Sequence, residues 1–136
     1  MISVYDLKPK FQQMLTPLLD FLVKRQFTPN IITLIALAGS FLVGIIIWLT
    51  RGNPVWLLIL PVWLFLRMAL NAIDGMMARK YNMGTALGCI LNELGDVLSD
   101  LALYLPLGLV VTESFSMVLL FSIGAVLTEF CGVLGY

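Results

Sequence analysis

The sequence predicts an all-α fold, a polytopic membrane helical bundle with one amphipathic helix lying at the membrane interface. Three observations predict it. Of 136 residues, 60% are hydrophobic and only 12% are charged, with a mean hydropathy of +1.00; a soluble domain of this length needs more polar surface than that. Four apolar segments each reach the ~20 residues that a helix needs to cross a hydrocarbon core of ~30 Å. The segment 1–27 has a different, amphipathic pattern.

In that first segment Val4, Leu7, Phe11, Met14, Leu18 and Leu22 recur at steps of three and four, with Lys8, Lys10, Gln12, Gln13 and Asp20 between them. One apolar stripe on an otherwise polar helix describes an element lying in the interface, with Pro17 a point at which it can bend. Thr28-Pro29-Asn30 opens the membrane portion, residues 28–136. Threonine suits the N-cap and proline the first turn. The first span runs from about Asn30 to Leu49, and Ala36, Ser40 and Gly44 share one of its faces. Small residues at that spacing let helix backbones approach closely. The second span runs from about Val55 to Arg79, the third from about Thr85 to Val111 and the fourth from about Phe115 to Gly132. The connecting turns are short, so neighbouring spans are antiparallel and 1–136 forms a single membrane domain.

Lys8, Lys10, Lys24, Arg25, Arg79 and Lys80 fall on one side of this arrangement and Arg51 alone on the other. The positive-inside rule then puts the N-terminus and the turn after Arg79 in the cytoplasm. We expect a multi-pass protein of the inner, cytoplasmic membrane. No short basic and apolar leader resembles a cleaved signal peptide. The last residues carry no polar tail, from which we expect the chain to be a fragment that stops after its fourth span. The formal net charge is zero, so nothing suggests a nucleic-acid surface. Histidine is absent, leaving oxygen ligands or the thiolates of Cys89 and Cys131 for any metal. An oxygen site suits Mg²⁺, Mn²⁺ or Ca²⁺ over Zn²⁺. The two cysteines, in separate apolar segments without paired spacing, are expected to be buried packing residues. Met76 and Met77 are also expected to pack.

Charges within a bilayer cost ~2.5–3.5 kcal/mol each on insertion scales, so they mark functional positions. Arg67 and Asp74 lie in the second span, Glu93, Asp96 and Asp100 in the third, and Glu129 in the fourth. Asn71 and Asp74 share a helix face, and Gly84, Gly88, Asn92, Asp96 and Asp100 form one stripe. Counting depth around the turn near Asn82 puts Asp74 beside Asn92, Asn71 beside Asp96, Arg67 beside Asp100, and Glu129 level with Asp74. Asp74 is then roughly 8 Å from the cytoplasmic end of its helix. This describes a polar cavity on the cytoplasmic side. For Arg67 and Asp100 the simpler reading is a buried ion pair joining two helices.

The segment reads Asn71-Ala-Ile-Asp74-Gly75-Met-Met-Ala78-Arg79, then eight residues, then Gly88-Cys-Ile-Leu-Asn92-Glu-Leu-Gly-Asp96. It resembles the signature of the CDP-alcohol phosphatidyltransferase family, D-x2-D-G-x2-A-R-x8-G-x3-D-x3-D. Asp74, Gly75, Ala78, Arg79, Gly88 and Asp96 match in residue and spacing, while Asn71 and Asn92 stand where the family has aspartate. The family usually has six membrane helices, against four here.

The resemblance implies transfer of a phosphatidyl or similar phosphoalcohol group from a CDP-alcohol, CDP-diacylglycerol being the expected donor, to an acceptor hydroxyl, with release of CMP. The lipid bilayer and both substrates are the implied partners, and the family tends to form homodimers. It implies Mg²⁺ or Mn²⁺ held at Asn71, Asp74, Asn92 and Asp96, with Asp96 as the base. Gly75 and Ala78 would let the nucleotide approach, Arg79 would pair with phosphate, and Gly88 would keep the facing helix low. Asparagine ligates through its carbonyl but brings no charge. Glu93, Asp100 or Glu129 compensates, or the site holds one metal, or the enzyme is weakened. The rival from another class is a non-catalytic relative, or an ion or lipid carrier using the acidic cavity. Nothing about transport requires the Asp74-to-Asp96 pattern with Ala78, Arg79 and Gly88.

Overall fold

The computed structural model describes residues 4–110 and 115–134 and is all-helical among them. Helix α1 is Val4–Lys24, α2 Pro29–Leu49, α3 Pro54–Leu57, α4 Ile59–Lys80, α5 Ala86–Val110 and α6 Phe115–Leu134. The expected turn over 112–114 and the last two residues lie outside the described residues, as do the side chains of Val4 and Leu7. Pro29–Leu49 and Pro54–Lys80 are long and apolar enough to cross a membrane. Helix α5 has the length, 25 residues, but carries three carboxylates, and the apolar stretch of α6, Phe115–Cys131, is shorter. Outward faces carry Phe41, Leu42, Ile45, Trp48, Val62, Phe65, Leu120 and Phe121, an apolar surface compatible with lipid.

Helix α2 is central. It lies against both α4 and α5, while α6 packs on α5 and α1 on α4. Thr28 caps α2, its side chain accepting from the Ile31 amide at 3.4 Å, with Pro29 in the first turn. Ala36, Ser40 and Gly44 are all buried on the packed face. A Cβ added at Gly44 would sit 2.0 Å from the Ala102 carbonyl oxygen, so at this point α5 backbone lies directly on α2. Trp63 Nε1 of α4 donates to Ser40 Oγ at 3.0 Å.

Three expectations need correction. The second span is broken near Leu58 into α3 and α4. Pro61 has no amide hydrogen to give to the Leu57 carbonyl, and its ring crowds that carbonyl. The apolar stripe of α1 is rotated from the one expected. Leu15, Leu19, Leu22 and Val23 pack against Ile32, Ile73 and Met77, whereas Met14, Leu18 and Phe21 are exposed. The helix has two apolar faces, and a count of one periodicity merged them. One face meets the bundle; the other suits the lipid interface. Cys89 and Cys131 are unpaired but exposed rather than buried, Cys89 because it faces the open space between α4 and α5. Met77 is fully buried and Met76 packs beside it.

Candidate active site

The turn between α4 and α5 orders the signature. Tyr81 closes α4 by donating its amide to the Met77 carbonyl, Asn82 takes φ 53°, and the Met83 amide returns to the Ala78 carbonyl. Asparagine is among the few residues that tolerate that left-handed geometry. Thr85 then accepts from the Gly88 amide at 2.9 Å and starts α5. Helices α4 and α5 do not approach closely along their backbones, because α2 lies against both. The space between them is a cavity of about 1090 Å³.

Asn71, Asp74, Gly75, Ala78, Arg79, Gly88 and Asn92 all line this cavity, together with Glu93. Asp96 lies deeper. Its Oδ1 accepts from Asn71 Nδ2 at 2.7 Å and from Arg67 Nη2 at 2.9 Å. Arg67 also pairs through Nη1 with Asp100, and its Nη2 reaches the Asp96 carbonyl at 3.1 Å. Arg67 is only 8% exposed, so this guanidinium is a buried cation shared by two carboxylates across the gap. Asp74, 6% exposed, turns toward α2, where the Thr33 hydroxyl donates to its Oδ2 at 3.0 Å. Glu129 of α6 faces Glu93, Asp96 and Asp100 of α5 and does not line the cavity; nor does Asp100.

The glycines have specific neighbours. A Cβ at Gly88 would meet Asn30 Oδ1 at 2.9 Å and one at Gly95 would meet Thr33 Cγ2 at 3.0 Å, so both let α5 settle on α2. The Arg79 guanidinium lies over Gly75, within 3.5 to 3.8 Å of where a Cβ would be. Lys8, Lys10 and Phe11 of α1 and Asn30 and Thr33 of α2 complete the walls. Sequence reasoning missed Thr33 and Asn30. Their signal was polarity within one turn of a helix start in an otherwise apolar span.

The oxygen ligands fit a limited metal content. Among the described residues no three Cys, Asp or Glu side chains form a metal-binding group. Asp74, on the cavity wall, fits one Mg²⁺-like ion, which takes one or two carboxylates and completes its shell with amide carbonyls and substrate phosphate oxygens.

Comparison with known proteins extends the pattern beyond the signature. Over 133 residues the chain is 50% identical to the inner membrane protein YnbA of Escherichia coli, covering 98% of this chain and 66% of that protein. An uncharacterized protein of Aquifex aeolicus is 39% identical over 104 residues, 75% of this chain and 50% of its own length. The phosphatidylinositol phosphate synthase of Streptomyces avermitilis is 32% identical over 95 residues, 69% of this chain and 37% of that enzyme. The chain thus spans between about a third and two thirds of the relatives it matches. No solved structure matches it. The CDP-alcohol phosphatidyltransferase family model matches residues 26–135, nearly the whole chain, and the chain belongs to that family.

Proposed function

We propose that the protein transfers the phosphoalcohol group of a CDP-alcohol, CDP-diacylglycerol being the leading donor, to an acceptor hydroxyl with release of CMP. The reading puts this chemistry in phospholipid synthesis at the inner membrane, with the N-terminus and the cavity on the cytoplasmic side. One observation carries it: Asp74, Gly75, Ala78, Arg79 and Gly88 line one cavity, and Asp96 hydrogen-bonds to Asn71 of its wall. Family membership and the likeness to a phosphatidylinositol phosphate synthase support it.

In the reaction the acceptor oxygen bonds to the phosphorus bearing the alcohol, the bond from that phosphorus to the CMP oxygen breaks, and the acceptor proton leaves. Asp96 takes that proton at Oδ2, because Asn71 and Arg67 both donate to Oδ1 and fix the carboxylate's orientation. Arg79 draws the diphosphate by charge-assisted hydrogen bonds, and Gly75 leaves its side chain room to lie along the helix. Asp74 and the Asn92 carbonyl, both on the cavity wall, are the groups that would hold Mg²⁺ or Mn²⁺, which when bound would neutralise diphosphate charge; Asn71 and Asp96 are engaged with each other. Glu93, on the cavity wall, is the best placed compensating acid; Asp100 is engaged by Arg67.

The test is CMP release from CDP-diacylglycerol with Mg²⁺ or Mn²⁺ across a panel of acceptor alcohols. Release that disappears with EDTA and in Asp96→Ala is the expected result; no release with any acceptor sinks the proposal. The grip of Arg67 on Asp96 favours a second reading, a non-catalytic relative, which the same null result would support.

A further inference from the structure

We propose that Arg67 is a built-in replacement for a second metal ion, so that the protein binds one divalent ion, on the Asp74 side, and not two. The inference rests on the proposed function only in taking the cavity as a CDP-alcohol site. Four carboxylates, as in the signature this chain resembles, neutralise two dications. Here Asn71 and Asn92 remove two of those charges. Arg67 is a permanent cation that cannot be deprotonated in a protein, and it sits against Asp96 and Asp100. Arg67 thus neutralises one of the two carboxylate charges at Asp96 and Asp100.

The substitutions are also sterically and chemically coherent. Asn71 turns its amide nitrogen, not its carbonyl oxygen, toward Asp96 Oδ1. A metal ligand at that spot would have to present oxygen. The same Oδ1 takes Arg67 Nη2. Two donors therefore converge on Asp96 Oδ1, and a dication at Asp96 would sit beside a guanidinium already 2.9 Å from that oxygen. Asp74 differs: its partner is the neutral hydroxyl of Thr33, it lines the cavity, and no cation is paired with it among the described residues. The site's two halves are thus specialised. One carries a fixed protein cation and holds Asp96 in place; the other remains open to an exchangeable ion. Arg67 acts through Asp96 and is a positioning residue.

The experiment is Mn²⁺ binding to the purified protein in detergent, without substrate, followed by electron paramagnetic resonance of the free ion. Wild type is expected to bind one Mn²⁺ per chain, and Arg67→Lys also one. Arg67→Met is expected to bind a second ion at Asp96 and Asp100. Asn71→Asp alone is expected to stay at one, because Arg67 remains. Two ions bound by wild type, or none, would overturn the inference, as would Arg67→Met that keeps its helical circular dichroism and still binds one. Should Arg67→Met fail to fold, Asn71→Asp decides: a second ion bound with Arg67 still in place would overturn the inference. The counts need no turnover, so one ion without CMP release would sink the proposed function and leave this inference standing.

Discussion

Near the α2–α3 turn, Val43, Ile47 and Leu103 close an apolar core with Leu57, Leu60, Trp63 and Leu107. Near the α4–α5 turn the corresponding core, Leu19, Ile32, Ile73 and Met77, stands beside the cavity, and Arg67 and Asn71 of α4 bond to Asp96 and Asp100 of α5. The first end joins α2 to α5 by direct backbone approach at Gly44. The second leaves α4 and α5 apart and spans the gap with side chains. Apolar contact is tolerant of small shifts, whereas a shared guanidinium fixes two carboxylates in position. The difference separates a packing end from a chemical end, and substitutions at each should have different readouts.

The largest expected effect is at the chemical end. Asp96→Asn keeps the shape that Arg67 and Asn71 hold but removes the proton acceptor, and CMP release should fall by ~10²–10⁴-fold. Its thermal midpoint in detergent should move far less than its rate. A rate near wild type would remove Asp96 from the mechanism.

At the packing end the order reverses. Gly44→Ala pushes a methyl toward the Ala102 carbonyl oxygen, which is backbone and cannot rotate away. Overpacking of this kind costs ~1–3 kcal/mol. The midpoint should drop, while the protein that remains folded keeps its Mn²⁺ count. A changed count with an unchanged midpoint would mean that the two ends are not separate. Ser40→Ala is the smaller version. It removes the acceptor of the Trp63 indole N–H and should cost about 1 kcal/mol, read as a lower unfolding midpoint.

Much of this contrast was legible in the residues. The small-residue face of α2 could be read from Ala36, Ser40 and Gly44, because spacing alone determines which side chains let another helix approach. The pairing of Arg67 with Asp100 and Asn71 with Asp96 followed from counting depth around a short turn. Depth counting could not show that α2 separates α4 from α5, since it assumes that helices adjacent in sequence touch. That assumption hid Thr33 and Asn30, which reach the cavity from α2. It also hid the second bond of Arg67 to Asp96, because a long side chain crosses a gap that a helix-to-helix contact would have closed. The rotated face of α1 was hidden for another reason. A helix apolar on two sides gives two overlapping periods, and only the bundle decides which one is buried.

The smallest effect concerns how α1 is held over the chemical end. Asp20 accepts from Lys80 Nζ at 2.8 Å and from the Tyr81 hydroxyl at 2.6 Å, tying α1 to the end of α4. Hydrogen bonds from Lys80 and then Tyr81 hold the Asp20 carboxyl below its usual value of 3.8. A folded value below the unfolded one stabilises the docked state above about the unfolded value, and the contribution is lost as pH falls through the folded value. The pair is solvent-exposed, so the effect is small and weakened by salt. Asp20→Asn should therefore unfold slightly below wild type at neutral pH in low salt, and the gap should close as pH falls below about 3.8 or as salt rises. Because Lys8 and Lys10 on the same helix line the cavity, a looser α1 should also raise the KM for the CDP-alcohol more than it lowers kcat. If the midpoint gap persists in acid, Asp20 acts through packing and not through its charge, and α1 belongs with the packing end of the molecule.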